Sequence, residues 1–191
     1  MKRTFCLVQI KNTSSSYGAV AKLLHWVVAV LILGLLAVGL YMTSIEGDGR
    51  YKLYAIHKAT GILVLVLVLI RLGWRFINVQ PFYPDDMPLI QKFAAHMLHA
   101  ALYFFIIFIP LSGWIMSSAG AHTISFYGLF NVPFIVDKNP EIGKLFNSLH
   151  ELFAYILIGM LVIHISAALF HHFIQKDNIL TRMLPGGSRN S

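Results

Sequence analysis

The sequence predicts an all-α integral membrane protein, a single domain over 1–191 built as an up-down-up-down four-helix bundle with both termini in the cytoplasm. Three observations carry this reading. Hydrophobic residues make up 57% of the 191 residues and charged residues 12%, against about 45–50% and about 25% in an average soluble domain. The mean hydropathy of +0.69 excludes intrinsic disorder and argues against an ordinary soluble globule. The apolar residues also gather into four runs, near 23–42, 53–76, 93–116 and 149–174. Each is close to the about 20 residues that a helix needs to cross a bilayer. No run alternates as a barrel strand would.

The first run follows Lys22 and stops before Glu46-Gly47-Asp48-Gly49. No adequate apolar stretch precedes Lys11-Asn12-Thr13, so the N-terminus does not read as a cleavable signal and the first span is expected to remain as an anchor. Ser14-Ser15-Ser16 reads as a loop before it. The second run carries Arg71 and Arg75 near its end, and the third leads into a long connection expected over 117–148. Within that connection, 124–136 is rich in Phe and free of charge. It reads either as a lid along the membrane surface or as a plain interfacial link. The fourth run closes the bundle.

Charge sets the orientation. Lys2, Arg3, Lys11, Lys22, Arg71, Arg75, Lys92, Lys176, Arg182 and Arg189 fall on the side of the two termini. Only Arg50, Lys52, Lys58, Lys138 and Lys144 fall on the other. The positive-inside rule then puts both termini in the cytoplasm of a multi-pass protein. The net charge of +7 would suit nucleic acid, but the apolar excess assigns it to a bilayer and no nucleic-acid partner is expected. The single cysteine, Cys6, excludes an intramolecular disulfide framework and makes a thiolate metal site a poor fit.

Nine histidines are the most informative residues. An imidazole inside a membrane is costly without a partner. From the span midpoints, His25 lies roughly 11 Å and His164 roughly 4 Å to the cytoplasmic side. His57 lies roughly 11 Å and His150 roughly 17 Å to the outer side. His25 therefore pairs in depth with His164, and His57 with His150. Two histidines facing each other from different helices can serve as axial ligands of a b-type haem. His150 and His164 are 14 residues apart in the sequence, which places them within roughly 40° of one helix face and about 21 Å apart. That separation suits two stacked haems. Ala29, Gly61, Ala154 and Ala168 follow the four histidines at i+4, leaving room on the same face.

His96 and His99, on the cytoplasmic half of the third span, are rivals for the inner site or partners for a propionate or quinone carbonyl. His171, two turns after His164, could serve the same two roles. His172 reads as interfacial and His122 as solvated. Arg71 reads either as a propionate partner or as a snorkelling side chain, and Arg75 as snorkelling. Lys58, with Arg50 and Lys52, makes the outer mouth locally positive.

At these residues the chain resembles the bacterial cytochrome b561 family of four-helix di-haem membrane cytochromes. The resemblance rests on Leu24-His25-Trp26, His57-Lys58-Ala59-Thr60-Gly61, Ala95-His96-Met97-Leu98-His99 and Leu102-Tyr103. It continues through Pro110-Leu111-Ser112-Gly113-Trp114, Leu149-His150-Glu151, and His164 with Ala167-Ala168-Leu169-Phe170-His171-His172. It closes with Lys176-Asp177-Asn178 and Leu180-Thr181-Arg182-Met183-Leu184-Pro185. The order and spacing of these pieces, over 17–185, carry the likeness.

The resemblance implies two haems b, with His25 and His164 as ligands on the cytoplasmic side and His57 and His150 on the outer side. It further implies ubiquinone as electron acceptor, a place in the bacterial inner membrane, and an activity like that of superoxide oxidase. In that reading superoxide outside the membrane is the donor, drawn in by Lys58. A non-catalytic subunit relaying electrons between a partner dehydrogenase or hydrogenase and the quinone pool is the alternative. A transporter binding metal ions or relaying protons is a third reading, one that expects no haem.

Overall fold

The computed structural model describes residues 9–84 and 86–186. Lys2, Arg3, Cys6 and Arg189 lie outside the described residues. Four long helices dominate: α1 (Ala19–Ser44), α2 (Asp48–Ile77), α3 (Leu89–Ala119) and α4 (Pro140–Phe170). All four are long and apolar enough to cross a membrane. They contain 26, 30, 31 and 31 residues, or roughly 39–47 Å of helix. A hydrocarbon core is only about 30 Å thick, so each helix overruns its apolar run.

The overrun is largest in α4. Asn139 accepts the Glu141 and Ile142 amides on its side chain, both at 3.1 Å, and Pro140 occupies the first turn. This cap starts the helix nine residues before the apolar run at 149, since capping needs no hydrophobicity. The connection expected over 117–148 therefore narrows to 120–139.

That connection contains a two-stranded antiparallel hairpin, β1 (Ile124–Phe126) and β2 (Phe130–Val132), in the register Ile124↔Val132 and Phe126↔Phe130. Leu129 donates its amide to Phe126 O at 2.9 Å, with Tyr127 at φ 49° and Gly128 at φ 80°. Two successive positive φ values match the right-handed twist of the flanking strands. Ile124 and Val132 are buried while Leu129, Phe130 and Phe134 are exposed. The Tyr127 and Thr60 hydroxyls are 2.8 Å apart, which fixes the hairpin on α2. Trp114 Nε1 donates to Pro133 O at 2.9 Å, tying it to α3. The hairpin is thus an ordered wall over the outer end of the bundle.

The buried core lies at mid-depth: Val28 and Ile32 of α1, Val64 and Val68 of α2, Leu102 and Ile106 of α3, and Leu157 of α4. Outward positions stay apolar, as at Leu23, Val30, Val162 and Ile163, which suits a lipid-facing surface. The helices pack as two close pairs, α1 with α2 and α3 with α4, joined through α2 and α3. Backbone approach of α4 to α1 or α2 is limited to isolated residues at most.

After α4 the chain makes one π-helical turn, His171–Gln175, and a short helix α5 (Ile179–Met183). Trp26 Nε1 donates to Met183 O at 2.9 Å, and Lys22 Nζ to Leu184 O at 3.1 Å. The C-terminal segment is thereby strapped to the start of α1. At the same end the segment before α1 is pinned to the α2–α3 connection, with Phe82 donating its amide to Ser14 O at 2.9 Å. Gly18 is needed there, because a Cβ would lie 2.2 Å from Ile10 O.

Candidate functional site

Four histidines on three helices form two facing pairs. His25 of α1 and His164 of α4 have ring centres 6.5 Å apart. His57 of α2 and His150 of α4 have ring centres 6.2 Å apart. Leu157 stands seven residues from both His150 and His164. It belongs to the core layer, so the two pairs lie at opposite ends with packed hydrocarbon between them.

Both pairs bridge helices whose backbones stay apart, as an inserted planar group would need. An imidazole–iron–imidazole bridge with bonds of about 2 Å puts the ring centres roughly 6 Å apart. Both observed separations agree. His25 Nδ1 and His57 Nδ1 are buried with no hydrogen-bond partner among the described residues, so neither is committed to another group of the protein. Among the described residues, no group of three or more His, Cys, Asp or Glu side chains could hold a bare metal ion. A pair of imidazoles fits instead a group that brings its own equatorial ligands, and the haem fit holds at both levels.

The local support differs between the sites. His150 Nδ1 lies 2.9 Å from Ile109 O and 3.0 Å from the hydroxyl of Ser112, a fully buried residue. A donor at Nδ1 fixes the tautomer and turns Nε2 toward a metal. Pro110 sits inside α3 beside this contact. Glycines make room for the rings. A Cβ at Gly39 would lie 3.3 Å from His57 Cε1, and one at Gly113 would lie 3.2 Å from His150 Cε1. Around Gly61, no atom lies within 4 Å of an added Cβ. It lines a cleft with His57, Lys58, Ile124 and His150. A second cavity, lined by Tyr51, Tyr54, Lys58, Thr123 and Ser125, shares Lys58 and Ile124 with the first. Lys58 therefore stands between the surface and the outer histidines.

At the other end, His99 has its ring centre 5.5 Å from that of His164. His96 is exposed; its Nδ1 lies 2.8 Å from Lys92 O and its ring faces Tyr83. Only His99 of the two rivals approaches the inner pair. Arg71 and Arg75 both lie over the Tyr103 ring, 5.5 and 5.9 Å from its centre. Neither guanidinium pairs with a carboxylate among the described residues. Arg71 is thus held against the aromatic ring of a neighbouring helix. His171 is buried, with Nδ1 2.5 Å from Asp177 Oδ2. His172 packs on Phe173, and His122 is exposed.

The sequence reading overlooked Gly39 and Asp177 and gave Ser112 and Gly113 no role. Gly39 meets His57 from another helix, so its partner is invisible to spacing along α1. Asp177 was visible only as part of a Lys-Asp-Asn piece.

The sequence profile of the family described as "Prokaryotic cytochrome b561" matches residues 16–186. The chain belongs to that family. It is similar to cytochrome b561 homolog 2 of Escherichia coli (strain K12), 35% identical over 175 residues, covering 91% of this chain and 93% of that one. Cytochrome b561 homolog 1 of the same organism is 35% identical over 164 residues, covering 85% and 93%. The probable superoxide oxidase CybB of Yersinia pestis is 31% identical over 170 residues, covering 85% and 92%. The family is one of haem b proteins that transfer electrons in the membrane, and the four helices able to span it agree with that setting.

The close approach of glycine to two histidine rings yields a test. Gly39→Val and Gly113→Val force the rings to shift, and haem content per chain in a pyridine haemochrome assay should fall. Gly34→Val, at an exposed position with nothing within 4 Å, should retain full haem. Full haem in all three variants would show that the rings do not hold it.

Proposed function

We propose that the chain is a superoxide:ubiquinone oxidoreductase of the bacterial inner membrane, holding one haem b between His57 and His150 and a second between His25 and His164. The observation that carries this is the presence of two facing histidine pairs, at 6.2 and 6.5 Å, at opposite ends of one apolar bundle. The bound haems supply one-electron transfer between the two membrane surfaces. The likeness to a probable superoxide oxidase supports superoxide as the donor.

The protein's own groups divide the remaining work. His150, anchored by Ile109 O and Ser112, presents a fixed ring to the outer site. Lys58 lines both cavities at that end and gives an approaching anion a local positive potential. A weak, transient attraction suffices, since tight binding of superoxide would slow turnover. At the cytoplasmic end, Arg71 and Arg75 offer two cations with no carboxylate partner among the described residues, suited to haem propionates. His99 and His171 line the region in which a quinone headgroup would be reduced.

Two substitution series test this. His57→Ala should remove the outer haem and leave the inner one, and His25→Ala should do the reverse, as read by the visible spectrum and haem count. Retention of both haems in His25→Ala, with loss in His99→Ala, would move the ligand to α3. For the donor, purified protein should reduce a ubiquinone analogue with superoxide unaided. Lys58→Gln should lower that rate several-fold and flatten its dependence on salt, because screening acts within a Debye length of about 8 Å at physiological ionic strength. Purified protein that is inert to superoxide would favour an electron-relay subunit that needs a partner dehydrogenase or hydrogenase.

A further inference from the structure

We propose that the buried His171–Asp177 pair is the proton-delivery site for quinone reduction, with His171 giving protons from Nε2 and Asp177 positioning its ring. This rests on the quinone-reducing reading above.

The stoichiometry demands such a site. Two superoxide anions lose one electron each and leave as two molecules of dioxygen. The quinone takes those two electrons and becomes a quinol only by taking two protons as well. Superoxide carries none, so both protons come from water through the protein. A group that delivers them must reach from the aqueous side toward the inner histidines without opening the hydrocarbon.

His171 occupies that interval. It lies seven residues beyond His164 on the same continuous helical path, roughly 10 Å further toward the end of the bundle. It is buried, whereas Phe173, Ile174, Gln175 and Lys176 after it are exposed. Its Nδ1 lies 2.5 Å from Asp177 Oδ2, and among the described residues this is the one contact between a basic and an acidic side chain within 4 Å. Nε2 has no hydrogen-bond partner among the described residues. A carboxylate at Nδ1 holds the proton there and sets the ring orientation, leaving Nε2 as the nitrogen that exchanges protons.

The backbone is built to bring these two residues together. The helix widens into the π-helical turn His171–Gln175, and both Lys176 and Asp177 return their amides to His171 O. Lys176 adopts a left-handed conformation, φ 56°, which reverses the chain and swings Asp177 back over the histidine. A non-glycine residue in that region is strained, and a π-turn interrupts an otherwise regular helix; both features cluster where a side chain has a task. Asp177 Oδ1 also accepts the Ile179 amide at 3.0 Å, so both carboxylate oxygens are engaged. The strap from Met183 and Leu184 to Trp26 and Lys22 holds this unit beside the inner pair, since Trp26 follows His25. Helices commonly end on a left-handed residue with amides returned to one carbonyl; what is particular here is that the turn sets the Asp177 carboxylate against the His171 ring.

The experiment uses the full haem-loaded chain and three variants: Asp177→Asn, Asp177→Glu and His171→Gln. Haem content and visible spectrum should match wild type in all three. Histidine infrared or ring-nitrogen NMR signals of the resting protein should show a carboxylate-bonded Nδ1–H in wild type and Asp177→Glu, lost in Asp177→Asn. Dithionite-reduced protein is then mixed with ubiquinone-1 and its reoxidation followed. The maximal rate should fall about 10-fold or more in Asp177→Asn and His171→Gln, with the quinone KM little changed and recovery in Asp177→Glu. Wild-type rates in Asp177→Asn would overturn the proposal, as would a rate lost together with haem. Wild-type protein that ubiquinone-1 does not reoxidise would overturn the quinone-reducing reading itself.

Discussion

The structure depends on the cost of burying imidazoles in hydrocarbon. A histidine inside a membrane is costly without a partner, and four of them in one small bundle set the positions of everything else. His25 faces His164 and His57 faces His150 across gaps that no backbone closes. The core layer around Leu157 keeps the two levels apart. Helices α1 with α2 and α3 with α4 pack tightly within their pairs, and this allows α4 to stand off from α1 and α2. A bundle packed uniformly would leave no space between the rings.

The two ends are not equivalent. The outer pair has a ring fixed by α3, glycines pressed against both imidazoles, and a hairpin wall pinned by the Thr60–Tyr127 contact. It is reached past Lys58. The inner end carries groups that could engage a larger partner: His99 against His164, two arginines over the Tyr103 ring, and the His171–Asp177 unit on its π-turn. A small donor at a walled mouth and a bulkier acceptor at a more furnished end match the direction of transfer proposed for the chain.

Much of this was legible in the sequence because helices convert spacing into depth. A rise of about 1.5 Å per residue sorted the histidines by depth, with His96 and His99 left as rivals at the inner level, and apolar run lengths were enough to find the spans. What escaped depends on contacts between elements. The choice between His96 and His99 turns on Tyr83, which reaches α3 from the α2–α3 connection. Arg71 is held by Tyr103 of another helix. The start of α4 is set by a cap at Asn139 rather than by hydrophobicity. The hairpin was hidden because Tyr-Gly is not a usual type I′ pair and its apolar tip resembles any interfacial segment. The reversal at Lys176, which brings Asp177 to His171, has no glycine to announce it.

The central claim is that each histidine pair is the axial pair of one haem. Low-temperature EPR of the oxidised protein, with haem quantified per chain, tests it most directly. The account predicts two haems b per chain, both low-spin with bis-imidazole signals and no high-spin component. A single haem, or a persistent high-spin signal from a five-coordinate iron in undamaged protein, would contradict it.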